Sequence, residues 1–341
     1  MRTLIVGVGA LGGLIAARMK AIDLPVSLAT RNAESAEKLK QSGLQVSGVG
    51  EPVSVDVTDV APLNKYFNSG VFDLIILATK AHDAIDAAPR LLSMLKNDGS
   101  LLPIQNGGVS QLLADQLLDG RLLCGISNFG VTMLRPGLYE QRNAGNFLIG
   151  EIAGGASDRV RRIHQWLGRA VEVKTTPNLS GSIWSKLLLN CSVTTIGAIA
   201  GQTMRQYILT AEGRRLFVRA YDEALSVAIA SGVRPERMMV DPVPPTWNKA
   251  NGRSTPDDSY NAWLDEIVNG YGDLKASMLQ DFERGRPTEI NFINVYVVNL
   301  ARQLGISARA NAAIVETVHA ITRKQLAPDP SLLRQILQVS N

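Results

Sequence analysis

Thr3-Leu4-Ile5-Val6-Gly7-Val8-Gly9-Ala10-Leu11-Gly12 is the stretch on which the fold turns. Its first part, Thr3 to Val6, reads as a short buried strand, and a helix from about Ala10 to Met19 follows directly. At such a junction each glycine answers a steric need. Gly7 permits a tight turn, Gly9 lets a pyrophosphate approach the backbone, and Gly12 lets the helix pack closely on the strand. The helix N-terminus adds a positive end that attracts anions. Gly7, Gly9, Ala10, Leu11 and Gly12 are therefore the expected dinucleotide-binding residues. The competing reading is a strand-to-helix turn that binds nothing, and it loses ground because the pattern opens a chain that continues in the α/β manner.

Outward from this junction, Val26 to Ala29 reads as a second strand, and Asp73 to Ala78 and Ser100 to Ile104 as a further pair. A helical stretch carrying Ile85, Leu91, Leu92 and Leu95 separates that pair. Consecutive βαβ units of this kind build a doubly wound parallel sheet. After an apolar run from Leu122 to Ile126, the segment Phe129 to Gly150 carries Pro136-Gly137 and Asn143-Ala144-Gly145 between apolar pieces. It is expected to form antiparallel hairpins that finish the sheet. A helix from about Ala156 to Gly168 and a strand around Val171 to Val173 complete a Rossmann-like domain over residues 1–176. Residues 177–341 lose the strand signal. Apolar positions three and four apart, such as Leu216, Phe217, Ala220, Tyr221, Ala224 and Leu225, predict an all-helical domain there. Pro235, Pro242, Pro244, Pro245 and Pro256 interrupt it, so about 234–259 is expected to be a long loop.

The length of 341 residues exceeds one typical core and supports this two-domain division. Hydrophobic residues at 45% and charged residues at 19% exclude a disordered chain and predict a soluble globule. The basic residues behind the net charge of +4 are scattered, which gives no nucleic-acid-binding run and equally suits capture of an anionic cofactor and substrate. The N-terminus reads as neither a signal peptide nor a membrane span, so a cytoplasmic location is the default expectation. Cys124 and Cys191 lie in separate apolar stretches and read as reduced, buried thiols. No His, Cys and carboxylate cluster has metal-ligand spacing, so no metal is expected, and His82, His164 and His319 belong to no catalytic pattern.

The second strand ends at Thr30-Arg31-Asn32, where a chain selective for NAD usually places a carboxylate for the ribose 2′-hydroxyl. A guanidinium cannot accept from a diol, but it pairs with a 2′-phosphate and stacks on adenine. Arg31 thus predicts NADPH/NADP+ as cofactor, with Lys80 as a second phosphate contact. For each, the plain alternative is a solvated loop charge. In Trp184-Ser185-Lys186-Leu187-Leu188-Leu189-Asn190-Cys191-Ser192-Val193-Thr194, positions 186, 190 and 194 form a polar stripe on an apolar helix. Such a stripe needs partners or a ligand. Ser277-Met278-Leu279-Gln280-Asp281 and Thr288-Glu289-Ile290 follow, and Gln105-Asn106-Gly107 ends a strand of the first domain.

These motifs, in this order from Gly7 to about Asn311, resemble the ketopantoate reductase (2-dehydropantoate 2-reductase) family. The resemblance implies a Rossmann domain followed by a helical domain related to that of 6-phosphogluconate dehydrogenase. It also implies NADPH-driven reduction of a small 2-oxo acid, ketopantoate to (R)-pantoate, in pantothenate synthesis. By matching position, Lys186 is implied as general acid and Glu289 as its polar partner. Asn106, Asn190 and Ser277 are implied as substrate contacts, Asn106 also serving the cofactor, and Thr194 replaces a second asparagine on the substrate-binding helix. A homodimer is implied by analogy with such helical domains. The residues make chemical sense in these roles. Hydride delivery to a ketone leaves an alkoxide, which an ammonium both protonates and stabilises. Burial depresses the lysine pKa while a nearby Glu favours the ammonium.

Departures from the family pattern bear on substrate choice. Leu274 stands where some members have asparagine, Asn294-Val295 where the family often has Asn-Gly, and Arg309-Ala310-Asn311 where it has Pro-x-Asn. Three functions remain open: reduction of ketopantoate, reduction of a different 2-oxo acid, carbonyl or imine, and non-catalytic regulation through NADP(H) binding. The intact Lys186, Asn190, Ser277 and Glu289 argue against the last.

Overall fold

Every residue of β1 (Thr3–Val6) is buried, the pattern of a parallel strand covered on both faces. The computed structural model describes all residues except 68–70, 249–252, 255–257 and 341. It divides into two units, Met1–Leu179 and Ser180–Asn341. In the first, β1 is followed by α1 (Ala10–Lys20), β2 (Val26–Thr30), α2 (Ala33–Ser42), β3 (Leu44–Gly48), β4 (Val53–Val55) and β5 (Val60–Pro62). Then come β6 (Phe72–Leu77), α3 (Ala81–Leu91), β7 (Leu95–Pro103) and α4 (Val109–Leu117). The unit ends with β8 (Cys124–Ser127), β9 (Val131–Arg135), β10 (Leu138–Gln141), β11 (Phe147–Gly150), α5 (Asp158–Leu167) and β12 (Val173–Thr175).

The main sheet is parallel throughout and has the strand order β5-β2-β1-β6-β7. The order reverses between β1 and β6, and ligands of open parallel sheets bind beyond the strand carboxyl ends at such a point. The segments leaving β1, β2, β6 and β7 there carry Gly7 to Gly12, Arg31, Lys80 and Asn106 respectively.

The expectation that hairpins finish this sheet is corrected. β9 and β10 do pair antiparallel across Pro136-Gly137, with Gly137 at φ +83°, but they join β3 and β4 in a separate sheet of order β4-β3-β10-β9. β11 lies between β12 and β8 in a three-stranded sheet. The cause is α1, which packs against the second sheet as well as the first. Gly13 makes this possible, since a Cβ on it would come within 2.0 Å of the Tyr139 ring of β10.

The second unit opens with one continuous helical run, α6 (Leu179–Leu189), a π turn (Asn190–Thr194) and α7 (Thr195–Ala200). α8 (Met204–Tyr207) and α9 (Ala211–Ala230) follow. β13 (Trp247–Asn248) pairs antiparallel with β14 (Arg253–Ser254), and among the described residues the unit has no other strand. α10 (Asp258–Tyr271), α11 (Ser277–Glu283), α12 (Asn294–Gln303), α13 (Arg309–Thr322) and α14 (Leu332–Val339) complete it. Pro256 of the expected loop lies outside the described residues. The earlier part of that loop is pinned to the helices, Tyr221 Oη donating to Pro242 O at 2.8 Å and Trp263 Nε1 to Asp241 O at 2.7 Å.

Among the described residues, one helix, Leu179–Ala200, is long and apolar enough to cross a membrane, but most of it is buried inside the protein. It is the central core helix of the second unit, packed by α9, α11, α13 and α14.

Candidate active site

In the first unit the glycine loop has the form its sequence demands. Gly7 has φ +94°, and a Cβ there would lie 2.8 Å from Thr79. A Cβ on Gly12 would meet Gly7 O at 2.0 Å, whereas one on Gly9 would meet nothing within 4 Å. Space above Gly9 is therefore open to a ligand. No side chain caps the N-terminus of α1 and its first turn carries no acid, so these amides suit an anion. Gln105 Nε2 ties the ends of two strands together, donating to Leu77 O at 2.8 Å and Thr79 O at 3.0 Å. Its Oε1 and the Thr79 Oγ1 are buried without a hydrogen-bond partner, polar atoms that a bound ligand would satisfy. Asn106 is the one partly accessible residue between Leu101 and Ser110. The residues present thus fit a dinucleotide.

Tyr139, overlooked in the sequence, braces this loop. Its ring fills the notch at Gly13 and its hydroxyl donates to Val8 O at 3.0 Å. Burial pushes the phenol pKa up, keeping it a donor. Tyr139→Phe should weaken calorimetric dinucleotide affinity by about threefold to tenfold, the worth of one buried hydrogen bond. Unchanged affinity would remove Tyr139 as a positioning residue.

Arg31 and Lys80 both lie exposed at the carboxyl edge of the main sheet, Lys80 as the residue before α3. Arg31 Nη2 makes an ion pair of 2.8 Å with Asp83 Oδ2, a residue of the first turn of α3. The sequence offered no hint of this partner, because it comes from a different βα connection.

In the second unit, Lys186, Asn190 and Thr194 are partly accessible and every other residue from Gly181 to Ala200 is buried. The predicted stripe is present, but its backbone is not uniform α-helix. The Thr195 amide donates five residues back to Asn190 O, forming the π turn. Such turns loosen the carbonyl ladder and recur at functional sites. Here side chains take up the carbonyls one by one. Asn190 O accepts from Thr194 Oγ1 at 2.9 Å and Thr195 Oγ1 at 2.8 Å, and Cys191 O accepts from Asn294 Nδ2 at 3.2 Å. Tyr207 Oη reaches Ser192 O and Val193 O at 3.1 and 3.3 Å.

Asn294 extends the network inward, accepting from Thr195 Oγ1 at 2.9 Å and donating to Asn311 Oδ1 at 2.9 Å. Asn311 donates to Glu223, whose carboxylate also takes the Ala310 and Asn311 amides at the start of α13. Asn294 and Asn311 have zero exposure, so their departure from the family's local pattern concerns neighbours and not these two amides.

Burial lowers the Lys186 pKa to about 8, with Glu289 pulling in the opposite direction. Glu289 precedes the short 3-10 turn Ile290–Phe292 and is itself half-buried. Ser277 is the exposed first residue of α11, a helix packed on α7, and Leu274 is 59% exposed. Two serines preceding Lys186 anchor the Pro-rich segment to the same helix, Ser182 Oγ donating to Glu236 Oε2 and Ser185 Oγ to Glu236 O. Cys124 and Cys191 are free and buried. Among the described residues no group of three or more His, Cys, Asp or Glu could hold a metal ion.

A glycine loop at the switch point of a parallel sheet, followed by a helical unit whose core helix bares a polar stripe, is the build of a pyridine-nucleotide-dependent oxidoreductase. Comparison narrows the class. The chain belongs to the ketopantoate reductase family, since residues 3–154 match the family model Ketopantoate reductase PanE/ApbA and residues 178–322 match Ketopantoate reductase PanE/ApbA C terminal. The 2-dehydropantoate 2-reductase of Pyrococcus horikoshii is 27% identical over 328 residues, covering 94% of this chain and 97% of the relative.

A PanE/ApbA family ketopantoate reductase from Ralstonia eutropha has a TM-score of 0.77 at 23% identity, covering 95% of this chain and 99% of its own. A D-mandelate dehydrogenase solved with NADH and anilino(oxo)acetate has a TM-score of 0.77 at 20% identity, with the same coverage. At these identities the likeness to the solved structures is one of fold.

Proposed function

We propose that the chain reduces 2-dehydropantoate (ketopantoate) to (R)-pantoate with NADPH, Lys186 acting as general acid. The observation that carries this reading is the lysine itself, partly accessible on an otherwise buried helix and with its pKa brought to about 8. Such a group is mostly ammonium at neutral pH and still acidic enough to release its proton. NADPH, when bound, supplies the hydride. Lys186 Nζ gives its proton to the carbonyl oxygen as negative charge grows there, and Glu289 keeps the ammonium populated beforehand. Asn190, Ser277 and Asn106 hold the substrate carboxylate and hydroxyl as neutral donors, adding no further buried charge. Gly7 to Gly12 hold the pyrophosphate, while Arg31 takes the 2′-phosphate and Lys80 adds a second phosphate contact. Two free buried thiols suit the cytoplasm as compartment.

A second reading, reduction of a different 2-oxo acid, is favoured by Thr194 and Leu274. The Thr194 hydroxyl spends its proton on Asn190 O, and Leu274 offers no polar group at all. The D-mandelate dehydrogenase shows that this fold also serves another 2-hydroxy acid. NADPH oxidation should be measured with ketopantoate against a panel of branched and aromatic 2-oxo acids. Ketopantoate is expected to give the highest kcat/KM; an aromatic acid well ahead of it would assign the second reading, and silence across the panel would sink both.

A further inference from the structure

We propose that Asp83 is a specificity residue that restrains the preference for the phosphorylated cofactor by competing for Arg31, leaving the chain able to take NADH as well as NADPH. The inference rests on the reading of Arg31 as the 2′-phosphate contact. β2 and β6 are the two neighbours of β1 in the sheet. Arg31 follows β2 and Asp83 lies in the helix after β6, so their 2.8 Å ion pair links the connections on either side of the glycine loop. The pair therefore belongs to the rim where an adenosine ribose would lie.

Asp83 is the more fixed partner. It sits in the first turn of α3, whose N-terminus favours a carboxylate, whereas the Arg31 side chain is 80% exposed and long enough to turn away. A 2′-phosphate must draw Arg31 from Asp83 and then remain close to the carboxylate left behind, and both demands oppose it. An unphosphorylated ribose meets neither demand. It leaves the ion pair intact, and the carboxylate is the acceptor that NAD sites commonly offer to ribose hydroxyls. The arginine alone reads as a selector for NADPH; the arginine with its acid reads as a balance between the two cofactors.

Calorimetric titration of NADP+ and NAD+ into the wild type, Arg31→Ala and Asp83→Asn tests this without relying on turnover. Asp83→Asn should tighten NADP+ by about twofold to fivefold, the scale of one solvent-screened charge pair, and leave NAD+ equal or weaker. Arg31→Ala should weaken NADP+ and spare NAD+. If Arg31→Ala alters neither affinity, the underlying assignment of Arg31 fails and the proposal with it. If Arg31→Ala acts as expected but Asp83→Asn leaves the ratio of the two affinities unchanged, Arg31 stands and the role of Asp83 is overturned. Both side chains are exposed, and matching thermal melts will show that neither variant acts through misfolding.

Discussion

Lys186→Ala is expected to lower turnover by about a hundredfold to ten-thousandfold, the usual worth of a positioned general acid, and to leave dinucleotide affinity nearly unchanged. The separation of effects is the informative part. The glycine loop, Arg31 and Lys80 all belong to the first unit, whereas Lys186 belongs to the second. A variant that lost affinity and turnover together would point to misfolding or to a different role.

The wild-type pH profile adds a second check on the same group. With its pKa at about 8, Lys186 is ammonium below that value and neutral above it. Reduction, which needs the proton, should fall as pH rises through about 8. Oxidation of the hydroxy acid, which needs the neutral amine as base, should rise over the same interval. Glu289 raises the lysine pKa, so Glu289→Gln should carry both midpoints to lower pH. Midpoints that stay fixed in that variant would exclude Glu289 as the electrostatic partner, and a flat profile in the wild type would exclude Lys186 as the titrating acid.

Asn294→Ala should cost about 3 kcal/mol of folding stability, because it removes three hydrogen bonds centred on a fully buried amide. Cys191 O, Thr195 Oγ1 and Asn311 Oδ1 each lose a bond at zero exposure of the central amide. The bonds of Asn294 go to Cys191, Thr195 and Asn311, yet kcat should fall as well, since the π turn it supports carries Asn190 and Thr194. Urea unfolding and turnover of the same preparation decide the matter. Stability lost with kcat intact would make the network purely structural; neither changing would deny it any weight.

The sequence made some of this plain and concealed the rest for physical reasons. Gly7, Gly9 and Gly12 were legible because their spacing marks a strand turning into a helix, with Gly7 at φ +94° and Gly12 packed on Gly7 O, although the close approach of Thr79 to Gly7 could not be read there. The polar stripe at Lys186, Asn190 and Thr194 was legible because helical periodicity repeats over a few turns. The second sheet was not, since β3 pairs with β10 far along the chain and its register, Leu138 opposite Gln45, leaves no trace in either segment alone. The π turn was hidden for a related reason. Apolar spacing reports that a helix exists, but the extra residue is held by Asn294 and Tyr207 from elsewhere in the chain. Asn294 and Asn311 were visible as asparagines beside departures at Val295 and Arg309, but their bond to each other comes from two separate helices. Asp83 carried no signal until it met Arg31.

The π turn also fixes how the protein can change in length. The wide turn holds one residue more than an α-helical turn over nearly the same rotation, so removing one residue between Asn190 and Thr194 would restore an ordinary α-helix and leave its two ends close to their present phase. Lys186 lies on one side and the buried contacts of α7 on the other, so both would keep their places, and the loss would be the bonding of the Asn190 and Cys191 carbonyls. The wide ring is thus a link of slack between a chemical end and a packing end of one helix. A single-residue deletion should be borne better here than elsewhere in this buried helix, where it would turn one end by about 100° against the other.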